Sequence, residues 1–183
     1  MKMADLFADL IPTDVQQILP DVFLLKGFAL AQAEQLFKAI SAIETQSPFR
    51  KMQTPGGFLM SAAITNCGEV GWHTDRQGYH YSEIDPQTEQ AWPAMPVCFE
   101  QLAQQAALLA GFNDFIPDVC LMNRYEIGAK MGLHQDKDEQ DFSQPIVSVS
   151  LGLPIVFQFG GGNRNDPKQR IPLEHGDVIV WGR

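Results

Sequence analysis

In an extended chain, side chains two residues apart stand on the same face, and His134 and Asp136 are so placed within residues 118–138, DVCLMNRYEIGAKMGLHQDKD. An imidazole and a carboxylate in that relation can close on one metal ion with little backbone strain. With one further histidine, the set is the two-His-one-carboxylate facial triad of non-haem Fe(II) oxygenases. Asp138 falls on the same side, while Gln135 and Lys137 point away. Upstream, Leu121, Asn123 and Tyr125 share a face of a strand that a glycine-containing turn separates from the histidine segment. H-x-D is a short pattern that also arises by chance, and a polar edge strand with solvated charges is the competing reading.

The segments that follow supply the setting. Residues 145–152 (PIVSVSLG) alternate, with Val147, Val149 and Leu151 on one face and Ser148 and Ser150 on the other. Residues 155–160 (IVFQFG) bring Ile155, Phe157 and Phe159 together. A glycine-rich break, GGNRNDPKQR, leads to Ile171-Pro172-Leu173, the turn Glu174-His175-Gly176-Asp177, and a last strand over residues 178–181. Short strands punctuated by turn residues predict a sandwich or small barrel. The segments NRY, HQD, VSVSLGLP, FQFGG and EHGDVIVW, in this order, resemble the AlkB family of Fe(II)/2-oxoglutarate-dependent dioxygenases, which repair alkylated nucleic-acid bases. The resemblance runs from about Asp5 to Trp181.

This resemblance implies an α+β protein: a double-stranded β-helix (jelly-roll) core with two supporting helices and an N-terminal nucleotide-recognition lid. It implies one dioxygenase domain over residues 1–183, with the lid in 49–96 and the iron/2-oxoglutarate core in 115–183. The implied activity is oxidative dealkylation of N-alkylated bases in single- or double-stranded DNA, with RNA left open. It uses Fe(II), O₂ and 2-oxoglutarate and releases succinate, CO₂ and an aldehyde. His134 and Asp136 match the family's metal ligands. Asn123 and Tyr125, within the Asn123-Arg124-Tyr125 strand, match its contacts to 2-oxoglutarate, and Arg124 is grouped with them as cofactor-binding. An amide and a phenol on one face suit a dicarboxylate, since both form directional hydrogen bonds. Trp72 matches the aromatic partner of the flipped base, and Asp138 a carboxylate beside the lesion, where it favours a cationic alkylated base. Tyr79, Tyr81 and Arg164 match backbone or substrate contacts. His175 sits in a tight reversal and is expected to be structural. No residue here matches the family's distal histidine or its two arginines, so the expectation is a C-terminally truncated domain without its closing strands. Two alternatives stay open: a non-catalytic fragment, and a 2-oxoglutarate oxygenase with another substrate.

Composition narrows the classes. A net charge of −9 opposes tight non-specific nucleic-acid binding and leaves only local basic patches, such as Arg50-Lys51 and Arg76. There is no run of 18 apolar residues, and the acidic N-terminus lacks a signal-peptide core. The three cysteines have no C-x-x-C spacing and read as free thiols of a reducing cytoplasm. A complete domain of this kind is expected to be a monomer, with no membrane association.

The N-terminal half holds two predicted helices. One spans residues 29–46, with Ala33, Leu36, Phe37, Ile40 and Ile43 on one face and Pro48 as its stop. The other opens at Pro96, buries Phe99, Leu102, Ala103, Ala106 and Leu109, and ends at Gly111. Residues 54–57 (TPGG) signal a turn, and residues 68–96 read as a long aromatic loop without apolar periodicity. That loop contains a second H-x-D, His73-Thr74-Asp75, which lacks an extended pattern to hold both side chains; His134 and Asp136 are therefore preferred as the ligand pair.

Overall fold

The computed structural model describes residues 14–134, 141, 143–161, 163 and 165–182. The chain folds as two compact units. One draws on Met1–Ala33, Leu102–Phe115 and Gln140–Arg183, the other on Glu34–Gln101 and Ile116–Glu139. Residues 116–139, which the sequence groups with the later strands, thus fold with residues 34–101. Among the described residues the chain is β-rich, with two α-helices.

The first unit is built on two sheets. Strands β1 (Val15–Leu19) and β2 (Val22–Leu25) form a hairpin whose tight link places Asp21 at φ 57°. β2 then pairs along its whole length with the late strand β10 (Val178–Trp181), which pairs on its other edge with β7 (Ile146–Val149). The sheet order is β1-β2-β10-β7. The second sheet is a hairpin of β8 (Ile155–Gly160) and β9 (Lys168–Leu173), in register from Ile155↔Leu173 to Gly160↔Lys168. Val22, Leu24 and Ile179 from the first sheet pack with Ile171 and Leu173 from the second, and Phe157, Phe159 and Trp181 complete the cluster. β10 shows why V-I-V-W is apolar without interruption: Ile179 faces this cluster, while Val178 and Val180 on the opposite face are also fully buried. The predicted stripe of Ile155, Phe157 and Phe159 is present. β9 begins three residues before the expected Ile171, because pairing with β8 recruits Lys168, Gln169 and Arg170.

The turn before β10 is the polar node of this unit. Asp177 is buried, and its carboxylate accepts hydrogen bonds from Lys26 Nζ at 2.6 Å, the Gly27 amide at 2.8 Å and the Glu174 amide at 2.9 Å. Gly176, at φ 84°, donates to the Ser150 carbonyl and accepts from the Ala29 amide, both at 2.8 Å. A side chain there would collide with Leu30. One turn therefore fixes the exits of β2 and β7 together.

In the second unit, α1 (Ala33–Gln46) follows a short 3-10 turn and buries Leu36 and Ile43, whereas Phe37 on the flank of the predicted stripe remains 44% exposed. The helix stops where Ser47 donates to Ile43 and Pro48 follows. Strand β3 (Ala63–Gly68) pairs with β6 (Val119–Arg124), and β4 (Gly71–Asp75) with β5 (Gly78–Ser82). The long loop expected over residues 68–96 is thus in large part a hairpin. Past it, Asp85 is fully buried and held by Ser47 Oγ at 2.6 Å and by the Arg50 guanidinium, which also lies 5.2 Å from the Trp92 ring. Gly71 is required where it stands, because a Cβ would run into the Trp92 indole. Helix α2 (Val97–Leu109), whose residues from Leu102 onward belong to the first unit, buries Leu102, Ala106 and Ala107, and ends at Gly111 with φ 89° and a bond from Phe112 N–H to the Ala107 carbonyl at 2.9 Å.

The Asp177 node sets a stability test. Burial disfavours its charged form, but the hydrogen bonds from Lys26, Glu174 and Gly27 outweigh this and hold the carboxyl below the usual carboxylate range. Asp177→Ala strands two backbone amides and should lower the unfolding free energy, measured by urea denaturation, by about 3 kcal/mol. Because the folded value is depressed, the carboxylate's contribution is complete above its unfolded value of about 3.9 and disappears as pH falls through the folded value. The variant should lack that part of the acid transition.

Candidate active site

The site starts from a strand alternation that the sequence predicts. On β6, Leu121 and Asn123, and Tyr125 just beyond it, share one exposed face, while Cys120 and Met122 point to the other. Arg124 also lies on the opposite side from Asn123. Its guanidinium binds Glu44 at 2.6 Å and rests 4.4 Å from the Phe49 ring, so it ties the end of β6 to α1 and residue 49.

Beyond β6 the chain turns back. The Ala129 amide bonds to the Glu126 carbonyl at 2.9 Å, Gly128 takes φ 88°, and the Lys130 amide donates to Ser61 Oγ at 2.9 Å. This return brings Met131 Sδ to 3.7 Å from the Tyr125 hydroxyl, three residues before His134. Burial of the Tyr125 phenol raises it above its ordinary value, so it remains a protonated donor at neutral pH. The exposed His134 has its Nδ1 2.8 Å from the Gly132 carbonyl. A carbonyl can only accept, so Nδ1 carries the proton and the ring lone pair is on Nε2. Metal-binding histidines commonly fix their ligating nitrogen this way. Asp136, Asp138 and Arg164 lie outside the described residues.

The β4–β5 hairpin has two chemically distinct faces. Trp72 pairs with Tyr81 and Thr74 with Tyr79, which puts three aromatic side chains on one face; Trp72 and Tyr79 stack with centroids 5.6 Å apart at 22°. Tyr79 and Tyr81 are exposed. The reverse face carries His73 opposite His80, their rings 5.2 Å apart, and Asp75 Oδ1 lies 3.3 Å from His80 Nε2. Here the sequence expectation is corrected. His73 and Asp75 do lie two apart on an extended strand, because the hairpin ladder supplies the pattern that apolar periodicity did not. Among the described residues, no group of three His, Cys, Asp or Glu side chains is arranged to hold a metal ion. His175 Nδ1 accepts the Gly152 amide at 3.0 Å, a contact of the kind a structural turn residue makes.

One residue that the sequence analysis did not single out joins these parts. Asn66 on β3 is fully buried; its Nδ2 donates to the Trp72 carbonyl at 2.9 Å and its Oδ1 accepts the Trp72 amide at 3.1 Å. A signal was available, since an amide in the middle of A-A-I-T-N-C must find partners if that strand is buried.

The profile of the 2OG-Fe(II) oxygenase superfamily matches residues 21–183. The alpha-ketoglutarate-dependent dioxygenase AlkB of Escherichia coli is 59% identical over 180 residues, 98% of this chain and 83% of that protein. The human nucleic acid dioxygenase ALKBH1 is 29% identical over 104 residues, 56% of this chain and 27% of its own length. The solved structure of OsALKBH1 superposes with a TM-score of 0.78 at 26% identity, over 93% of this chain and 83% of that one. The chain belongs to the AlkB family of 2OG-Fe(II) oxygenases. The cofactors of this superfamily are Fe(II), 2-oxoglutarate and O₂. Within the described residues, the Nδ1-protonated His134 and the polar face of Asn123 and Tyr125 fit that set.

The histidine pair on the hairpin gives a direct check. Burial lowers the His73 imidazole below its ordinary value, and the neighbouring His80 lowers it further. In an NMR titration, His73 should therefore lose its proton at lower pH than a free imidazole. His80→Ala should move it only part of the way back, since burial is the larger cause.

Proposed function

We propose that this chain oxidatively removes alkyl groups from nitrogen atoms of nucleic-acid bases, in alkylated DNA first and in RNA as a second substrate class. The carrying observation is the arrangement around β6: Asn123 and Tyr125 share a face, and the Tyr125 hydroxyl is packed against the segment that presents His134. Identity to the Escherichia coli dioxygenase over nearly the whole chain supports the chemistry. The nucleic-acid relatives support the substrate class.

In this reading, His134 and Asp136 hold Fe(II), with His134 offering Nε2. Asn123 donates its amide and Tyr125 its hydroxyl to a carboxylate of 2-oxoglutarate. Arg124, on the far face of β6, keeps that strand in place through Glu44 and Phe49. When bound, iron and 2-oxoglutarate supply the oxidation of the alkyl carbon by O₂, with succinate, CO₂ and an aldehyde as products. Residues 49–96 form the recognition lid of a jelly-roll core in 115–183. Trp72, backed by Tyr79, stacks on the flipped base, while Tyr81 and Arg164 contact the strand. Asp138 stands beside the lesion and favours cationic alkylated bases over neutral ones. The three free thiols suit a cytoplasmic enzyme.

The test is iron-dependent succinate release with methylated and unmethylated oligonucleotides. Release stimulated only by the methylated strand supports the reading, whereas release indifferent to nucleic acid points to another substrate. Two variants check the assignments. His134→Ala should abolish the tight component of Fe(II) or Mn(II) binding in a metal titration, while His73→Ala leaves it intact; equal losses would overturn the ligand choice. Trp72→Ala should weaken methylated-oligonucleotide binding about tenfold, in line with roughly 1–3 kcal/mol per stacked base. Unchanged affinity would return Trp72 to a packing role.

A further inference from the structure

Strands β3 and β6 hold a pair of thiols that the site does not use. Cys67 and Cys120 are directly opposite in the ladder, and both are free. The type of pair follows from the bonding on the other edge of β3. Ile64 exchanges both of its backbone bonds with Arg50, at 2.8 and 3.1 Å, so its polar atoms face away from β6. Three residues on, the N–H and C=O of Cys67 face β6, so Cys67 and Cys120 form a hydrogen-bonded pair. Opposed α-carbons of such pairs are about 5.5 Å apart. That lies inside the roughly 4.4–6.8 Å range that disulfides span. The β-carbons of facing residues, about 4.5–5.5 Å apart, are at or beyond the upper limit for a relaxed bridge. A bond there would form under strain and be easily reduced.

We propose that Cys67 and Cys120 form a reversible dithiol–disulfide site that reacts with hydroperoxides, with Cys120 as the attacking thiol and Cys67 as the resolving one. Cys67 is completely buried, whereas Cys120 is partly exposed as a residue, which makes Cys120 the partner assigned the first reaction with a small oxidant. The two thiols also polarise one another. The neighbouring Cys120, together with burial, raises Cys67 above the ordinary thiol value, and the neighbouring Cys67 lowers Cys120 below it. Thiolate character thus gathers on the accessible partner.

The chemistry balances with hydrogen peroxide as the oxidant. The Cys120 sulfur attacks one peroxide oxygen, the O–O bond breaks, and the departing hydroxide takes up the thiol proton to become water. Cys120 is then a sulfenic acid. The Cys67 sulfur attacks it, the S–S bond forms, the S–O bond breaks, and a second water leaves with the Cys67 proton. The two sulfurs give up two electrons and peroxide accepts them. The resulting bond ties β3 to β6 three residues before Asn123, so it stiffens the strand that presents Asn123 and Tyr125. Cys98, in the first turn of α2, is the third thiol and the internal control.

The experiment treats the intact, metal-free chain with a modest excess of hydrogen peroxide, then counts thiols and maps linked peptides by mass spectrometry. Free thiols should fall from three to one per chain, with Cys98 retained, a Cys67–Cys120 peptide present, and full recovery on adding dithiothreitol. Cys98→Ser should give the same bridge. Cys67→Ala should stop at a sulfenic acid on Cys120, trapped by dimedone. Should Cys67→Ala fail to fold, hydrogen exchange of the unmodified chain decides: oxidation should slow exchange across residues 119–124. A bridge to Cys98, oxidation confined to Cys98, or three intact thiols under peroxide would overturn the proposal.

Discussion

Strand β3 is the constraint on which the site depends. Ile64, Thr65, Asn66 and Cys67 are all between 0 and 1% exposed, so every polar group they carry has to find a partner inside the protein. The backbone does so through β6 and, at Ile64, through Arg50. Thr65 Oγ1 donates to the Ser47 carbonyl at 2.7 Å, and Asn66 takes both polar groups of the Trp72 backbone. A side-chain amide has one donor and one acceptor in the geometry of a peptide unit. Asn66 therefore continues the sheet by one side chain, joining β4 to β3. The Asn123–Tyr125 face of β6 and the aromatic face of the β4–β5 hairpin are consequently both tied to a single buried strand. Leucine at Asn66 would fill the space and leave both Trp72 groups unpaired.

Each unit also closes on one buried carboxylate. Asp177 gathers Lys26 and two backbone amides, while Asp85 gathers Ser47, Arg50 and the Gln87 amide. In both cases burial opposes the charge and the hydrogen bonds prevail, so the carboxyl stays ionised below the usual range. A neutral amide would offer only one acceptor oxygen to three donors. Two pairs of chain segments apart in sequence are thereby pinned, Lys26 to Asp177 and Arg50 to Asp85. The second pin matters to the site, because Arg50 is the neighbour that pairs with Ile64 of β3.

What was legible in the sequence was whatever repeats with a period. The alternation of Leu121, Asn123 and Tyr125 survives in β6, the Phe157–Phe159 stripe in β8, and both helices end at the proline and glycine that predict it. The β4–β5 hairpin was not legible because its alternation is aromatic against imidazole and carboxylate. Apolar periodicity does not register a half-buried hairpin whose faces are aromatic, imidazole and hydroxyl and which is held by cross-strand pairs. Its D-R-Q-G turn is closed by the Asp75 carboxylate, which accepts the Gln77 and Gly78 amides. The surroundings of Arg124 were not legible for a related reason. Being next to Asn123 in sequence places it on the opposite face, and only the fold reveals that Glu44 and Phe49 await it there.

A chain of net charge −9 has to approach a polyanion with little help from its overall field. On the proposed reading, the hairpin meets this with stacking area. Trp72 and Tyr79 are diagonal neighbours across the ladder, already nearly parallel, so a base stacking on them orders little that is not ordered beforehand. Two positive charges lie nearby: Arg76 at the hairpin tip touches Gln53, and Lys51 is already paired with Glu126. Phosphate contacts supply sequence-independent affinity, whereas an aromatic face acts only on a base that has left its own stack. Weak electrostatics combined with a preformed aromatic platform therefore favours unpaired or extruded bases over intact duplex, and a damaged base is the cheapest one to extrude.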